Sequence, residues 1–225
     1  MKLKRLAQST ILLTANIGKR LLIDPGKYNL DQGKLSLETF PSADVVIITH
    51  KHTDHFDLEL LKATLSRNNP IIITNFEINA ILNKEGISST VITEGNTINE
   101  CGFLITAIRT DHVVRDENIV NFGLVVSADN TNLYHTSDTR FIDPSLLPKE
   151  TRTKYLLLPI SNRGVVMGID DALVFASDLK PGLVIPLHYD SPKDKDRVNP
   201  KEFAQKASEI GLKSCIMSFG EEMDL

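Results

Sequence analysis

Apolar positions along this chain fall into short runs rather than long amphipathic stretches. Residues 11–13, 20–23, 45–49, 71–74, 90–92, 103–108, 122–126, 133–135, 155–158, 183–186 and 214–218 are each brief and rich in β-branched side chains. Gly, Pro, Asn and Asp flank them. That combination predicts strands. Helical spacing appears between the runs. Residues 57–65 carry Leu58, Leu61 and Leu65 behind a capping Asp57, and 76–84 ends before Gly86. Residues 170–179 repeat Ala172, Phe175, Ala176 and Leu179 before Lys180-Pro181-Gly182. The best-marked helix is 201–210. Asn199 caps it, Pro200 opens it, Glu202 completes a capping box, Gly211 follows it, and Phe203, Ala207 and Ile210 form its stripe.

Helices are interspersed among strands without steady alternation, which argues against a parallel barrel and for mixed sheets sandwiched between helices. The stretch 25–42 has no strong periodicity and reads as a functional loop. At 225 residues the chain is long enough for one large core, and 1–225 is expected to be a single domain.

Charge and composition narrow the function. Lys and Arg number 25 against 29 Asp and Glu, a net charge of −4, which disfavours nucleic-acid binding by bulk positive charge. No apolar run approaches the ~18 residues of a membrane span, and the basic N-terminus lacks the apolar core of a signal peptide. Cys101 and Cys215 are too few for a disulfide framework. A cytoplasmic protein acting on a small molecule, without a membrane partner, is the expectation; a homo-oligomer is compatible with it.

The candidate chemistry lies in the histidines. His50, His52 and His55 fall in Thr49-His50-Lys51-His52-Thr53-Asp54-His55, directly after the apolar run Val45-Val46-Ile47-Ile48. Residues leaving a strand alternate faces, so His50 and His52 project together and can bind one ion. Asp54 and His55, past the turn, are free to address a second. Imidazole with carboxylate suits zinc and its first-row neighbours.

The pattern H-x-H-x-D-H resembles the signature of the metallo-β-lactamase superfamily, whose later ligands match His112 in Thr110-Asp111-His112, Asp138 in His135-Thr136-Ser137-Asp138, and His188 in Pro186-Leu187-His188-Tyr189. Within it the chain looks most like the short, single-domain branch that includes ascorbate-6-phosphate lactonase, on Leu158-Pro159-Ile160, Met167-Gly168-Ile169-Asp170-Asp171-Ala172 and Ile185-Pro186-Leu187-His188-Tyr189. The resemblance implies an α+β, four-layer αββα sandwich with divalent cations at one edge, two Zn2+ or Mn2+ ions. His50, His52 and His112 would hold the first and Asp54, His55 and His188 the second, with Asp138 bridging.

It further implies hydrolysis of an ester, lactone or phosphodiester of a small, anionic molecule by a metal-generated hydroxide, with Asp54 orienting the nucleophile and taking its proton. A nuclease on the same site and a non-hydrolytic metal-binding protein are the alternatives. Asp24 would orient the histidine loop. Asn162, Arg163 and Tyr189 are candidate substrate contacts. Arg140, Lys193, Lys195 and Arg197 could meet an anion, although Asp190, Asp194 and Asp196 alternate with the last three. His135 is expected to pack or donate a hydrogen bond. Three features depart from the superfamily pattern. Ser137 stands where a glycine commonly precedes the bridging Asp, Ser161-Asn162 replace a frequent Gly pair, and residues 6–10 lack a common glycine and histidine.

Overall fold

Runs such as Val45–Ile48 are apolar on both sides because their strands are covered on both faces. The computed structural model describes residues 1–161, 163–192 and 197–225. In chain order the elements are β1 (Lys2–Arg5), β2 (Ile11–Thr14), β3 (Arg20–Ile23), α1 (Tyr28–Asp31), β4 (Val45–Ile48), α2 (Leu58–Asn68), β5 (Ile71–Thr74) and α3 (Phe76–Lys84). Next come β6 (Thr90–Val91), β7 (Thr97–Glu100), β8 (Phe103–Ile108), β9 (Val113–Val114), β10 (Glu117–Asn118), β11 (Gly123–Ala128) and β12 (Thr131–His135). The chain closes with β13 (Tyr155–Pro159), α4 (Ile169–Leu179), β14 (Leu183–Leu187), α5 (Pro200–Glu209) and β15 (Glu222–Asp224).

Seven strands form one sheet in the order β15-β1-β2-β3-β4-β5-β6, and six form the other in the order β14-β13-β12-β11-β8-β7. Both are mixed: β3, β4, β5 and β6 are parallel, as are β12, β13 and β14, and the remaining neighbours are antiparallel. The layers follow from strict alternation. Ile11, Leu13, Leu21, Ile23, Val45 and Ile47 face Phe103, Ile105, Leu124, Val126, Leu133 and Leu157 between the sheets. The opposite faces of the first sheet, through Leu22, Val46, Ile48 and Ile72, meet Leu60, Leu61, Ile78 and Leu82 of α2 and α3. Val125, Tyr134, Leu156 and Val184 meet Ala172, Phe175 and Ala176 of α4 and Phe203 and Ala207 of α5. The result is an α+β sandwich, helix–sheet–sheet–helix.

The helices obey their end signals. Asp57 accepts from the Leu60 amide, and α2 runs one turn beyond the expected 65 to a left-handed Asn69 (φ 39°). The Asn199 side chain caps α5 by accepting from the Lys201 amide. Ile210, expected in the α5 stripe, is exposed instead because the helix has already ended at Glu209.

The run 214–218 does not form a strand: only Ser214 bridges to Val184. Beyond it Met217 turns fully inward, and its carbonyl is taken by the Tyr189 hydroxyl. Residues 25–42 contain the one-turn α1 and brace the histidine loop, the Lys27 amide donating to Thr53 and the Asp57 amide to Pro25. Among the described residues no helix is long and apolar enough to cross a membrane.

Phe203 is wholly buried where α5 meets its sheet. Phe203→Ala should lower unfolding free energy by about 3–5 kcal/mol in urea denaturation. Lys201→Ala, exposed two residues earlier, should change it by less than about 0.5 kcal/mol.

Candidate metal centre

The loops that leave the C-terminal ends of β3, β4, β8, β12 and β14 meet at one edge of the sandwich. After β4 the chain turns at once, with the His55 and Phe56 amides both donating to the His52 carbonyl. His50 Nε2 lies 3.0 Å from His52 Nδ1, just before that turn. His112 arrives from the loop after β8. That loop is tied to the one after β12 by Asp111, whose amide donates to Thr139 Oγ1 and whose carboxylate pairs with Arg140. His112 Nε2 therefore lies 3.2 Å from His52 Nδ1 and 3.8 Å from Asp138 Oδ2.

On the other side of Asp138, its Oδ1 is 3.1 Å from His55 Nε2, while Oδ2 is 3.5 Å from His188 Nε2. Asp54 Oδ2 lies 3.2 Å from His188 Nε2 and 3.9 Å from His55 Nε2. Two donor sets result, His50, His52, His112 and Asp138 in one and Asp54, His55 and His188 in the other. Within each set the ligand atoms lie within 4.8 Å of one another.

Hydrogen bonds on the outer side of three rings fix which nitrogen faces the centre. The His112 Nδ1–H donates to the Val165 carbonyl, which can only accept, so Nε2 is bare. His55 Nδ1–H likewise donates to Asp24 Oδ2 at 2.7 Å. The Thr49 hydroxyl donates to that same carboxylate, leaving its oxygen to accept from His50 Nδ1–H. His55 Nε2 and Asp138 Oδ1 are both buried and, despite their proximity, not aligned in a hydrogen bond with each other or with any described residue. Ligand atoms around a tetrahedral Zn2+ at ~2.0–2.1 Å stand about 3.3 Å apart. The donor types, the nitrogens turned inward and the spacings fit divalent cations of that kind.

Residues 2–188 match a family described as the beta-lactamase superfamily domain. The chain belongs to this superfamily. Among its relatives, a UPF0173 metal-dependent hydrolase from Nanoarchaeum equitans is 33% identical over 235 residues, covering 100% of both chains. One from Archaeoglobus fulgidus is 30% identical over 237 residues, covering 100% of this chain and 99% of that one. The solved structure of a metallo hydrolase from Ignicoccus hospitalis superposes with a TM-score of 0.83 at 27% identity, covering 100% of this chain and 98% of the other. An isothiocyanate hydrolase from Delia radicum gut bacteria shares the fold, with a TM-score of 0.76 at 22% identity and coverage of 100% and 99%. The superfamily, the relatives and the donor sets together make the protein a metal-dependent hydrolase.

Electrostatics within this superfamily site divide the histidines. Burial, reinforced by the charge of His55, pushes His50 well below its usual range, and burial lowers His52 and His112 as well. Those rings are neutral, the form that donates a lone pair. Burial also opposes charge on His55 and His188, but carboxylates outweigh it. Asp138, Asp24 and Asp54 raise His55 well above its ordinary value, and Asp138 and Asp54 raise His188. Burial disfavours the Asp54 and Asp138 anions, yet the facing histidines hold both carboxyls below the usual range.

Other expected residues are distributed unevenly. Arg163 stands on the wall of the cavity that opens over the donor sets, with Tyr28, Lys51, Val114 and Val165. Asn162 lies outside the described residues, as do Lys193, Asp194, Lys195 and Asp196. Tyr189 is a correction. The left-handed backbone of His188 (φ 62°) sends the next side chain away from the cavity, and its hydroxyl donates to Met217. Arg140 is engaged with Asp111, and Arg197 Nε donates to the Ser191 carbonyl. His135 sits between the Ser9 carbonyl and the Ser137 amide, so both its nitrogens serve structure.

Thr49 and Gly26 were not singled out from sequence. A Cβ on Gly26 would stand 1.8 Å from the Asp54 carbonyl oxygen, so this loop approaches the histidine turn only as glycine. The Pro25-Gly26 pair was the available signal.

Asp24→Asn puts an amide where His55 Nδ1–H now donates. If that amide turns its N–H2 to the ring, the imidazole must carry its proton on Nε2. Asp24 also helps to raise His55, so nitrogen NMR of metal-free protein titrated upward in pH should show His55 losing its charge at a lower pH than in wild type, and divalent-cation affinity should fall about 10–100-fold.

Proposed function

We propose that the centre takes two divalent cations, zinc before manganese, and cleaves an ester, lactone or phosphodiester bond of a small anionic molecule. His50, His52 and His112 would hold one ion and Asp54, His55 and His188 the other, with Asp138 between. The observation that carries this reading is the placement of Asp138: Oδ2 is 3.9 Å from His50 Nε2 and 3.8 Å from His112 Nε2, while Oδ1 faces His55 at 3.1 Å. Bound ions of this kind supply water acidified towards neutrality and polarise the oxygen of the bond being cut.

The chain's own residues do the rest. Asp54, at the mouth beside His188, orients the water and accepts its proton. Arg163 and Lys51, the latter paired with Glu77 at 3.1 Å, line a cavity of about 470 Å³, a size suited to a small ligand. Tyr28, Val114 and Val165 give it an apolar body that excludes water from the bond. The branch of short hydrolases that includes ascorbate-6-phosphate lactonase is consistent with Leu158-Pro159-Ile160 and Met167-Gly168-Ile169, and places a lactone first among the bonds to try.

Elemental analysis of purified protein should find two equivalents of divalent metal. Turnover should appear on a panel of lactones, phosphodiesters and thioesters and vanish after chelation. His52→Ala and Asp138→Ala should each lose bound metal and turnover together; full activity in either would overturn the ligand assignment.

A further inference from the structure

We infer that Asp190 is a positioning residue for His188 and, through it, for occupancy of the second cation site. The inference rests on the reading above that His188 is a ligand.

His50, His55 and His112 each have the second ring nitrogen held, by Thr49 Oγ1, Asp24 Oδ2 and the Val165 carbonyl respectively. His188 differs. Its Nδ1 is buried and has no hydrogen-bond partner among the described residues. Among the described residues no hydrogen bond holds that outer side of the ring, so its placement leans on the backbone. That backbone is left-handed, at φ 62°, which a residue with a Cβ adopts only where its surroundings impose it.

The following two residues impose it. Tyr189 is anchored by its hydroxyl to the Met217 carbonyl at 2.7 Å, and its ring lies 4.5 Å below the Arg5 guanidinium. Asp190 Oδ1 accepts from the Gln8 amide at 3.0 Å, and the Gln32 side-chain amide donates to the Asp190 carbonyl and Oδ2 at 3.0 and 3.3 Å. Gln8 is itself left-handed (φ 53°), and its carbonyl receives the His188 amide at 3.5 Å, closing a ring of bonds around the turn.

Arg5 pulls the ring tight. Its side chain is 2% exposed, with Nη2 2.8 Å from Asp190 Oδ1, off the N–H axis and therefore an ionic contact rather than a directed hydrogen bond. A buried guanidinium needs its counter-charge close. Asp190 is thereby drawn to one place, and the His188 backbone with it.

Removing Asp190 alone would strand that guanidinium, so the ion pair is best removed whole. Arg5→Met/Asp190→Ala abolishes the pair and the acceptor; Arg5→Met/Asp190→Asn abolishes the pair but keeps an oxygen for the Gln8 amide. Zinc titrated into chelator-stripped, full-length protein and followed by calorimetry reads both sites, with melting temperature measured alongside. Wild type should take two equivalents, and His188→Ala should lose the second. Arg5→Met/Asp190→Ala should keep the first equivalent and bind the second at least about tenfold more weakly, with the Asn variant restoring it to within about threefold at a similar melting temperature.

Unchanged second-site affinity in the Ala variant overturns the inference and leaves His188 a ligand. Equal weakening in both double variants also overturns it, because the pair is then merely structural. A second equivalent indifferent to His188→Ala overturns the ligand reading instead. Gln32→Ala leaves the ion pair intact and should weaken the second equivalent by about threefold. If the double variants do not fold, no change in Gln32→Ala overturns the inference.

Discussion

The carboxylate of Asp24, wholly buried at the end of β3, accepts from the Thr49 amide, the Thr49 hydroxyl and His55 Nδ1. Three donors offset the cost of keeping that charge out of water. In return the carboxylate sets the orientation of two rings. His55 is turned directly, with Nε2 facing Asp138, and His50 is turned through the Thr49 hydroxyl. One side chain therefore orients a histidine from each donor set. The close parallel pairing of β3 with β4, Leu22 beside Val46 and Ile23 beside Ile47, brings Asp24 under the turn it organises.

Backbone conformation around the centre costs energy that the hydrogen bonds must cover. Gln8, Asp24, Ser137 and His188 are left-handed without being glycine. Such residues cost of order 1–3 kcal/mol each and persist where their surroundings over-determine them. Ser137 is instructive because a glycine is common there in the resemblance. Its φ of 55° explains the glycine, and its hydroxyl explains how serine is accommodated, with Thr49 Oγ1 and Asn121 Oδ1 at 2.8 and 3.0 Å. The serine thus joins the loop after β12 to the histidine loop after β4.

Much of this was legible in sequence because the information is local there. The central strands are continuous apolar runs, and H-x-H-x-D-H packs four candidate donors into one turn. His112 had little support from its neighbours, since what brings it in is Asp111 bonding to Thr139 and Arg140, a tie across 28 positions. The first and last strands of the chain were missed for a different reason. Lys2–Arg5 and Glu222–Asp224 alternate charge with single apolar residues, so their hydrophobic signal is weak although Leu3 is fully buried. Tyr189 was misplaced because its place beside His188 in sequence does not say where its side chain goes; the chain is left-handed at His188, and the Tyr189 hydroxyl is spent on the Met217 carbonyl. The Arg5–Asp190 contact spans nearly the whole chain, and a lone basic residue near the N-terminus carries no sign of burial.

The two sheets contribute to the centre in a way that ties chemistry to folding. The first sheet supplies His50, His52, Asp54 and His55 from the loop after β4. The second supplies His112, Asp138 and His188 from the loops after β8, β12 and β14. Neither donor set is complete on one sheet. A cation bound in either would cross-link the layers of the sandwich at its open edge, where apolar packing between the sheets gives way to polar loops. Binding energy at such a site is also folding energy, because the unfolded chain has no preformed set to bind. The strained turns at Asp24, Ser137 and His188 lie at that same edge. The left-handed backbone that aims the donors is therefore tolerable in proportion to how firmly the two sheets are held together there.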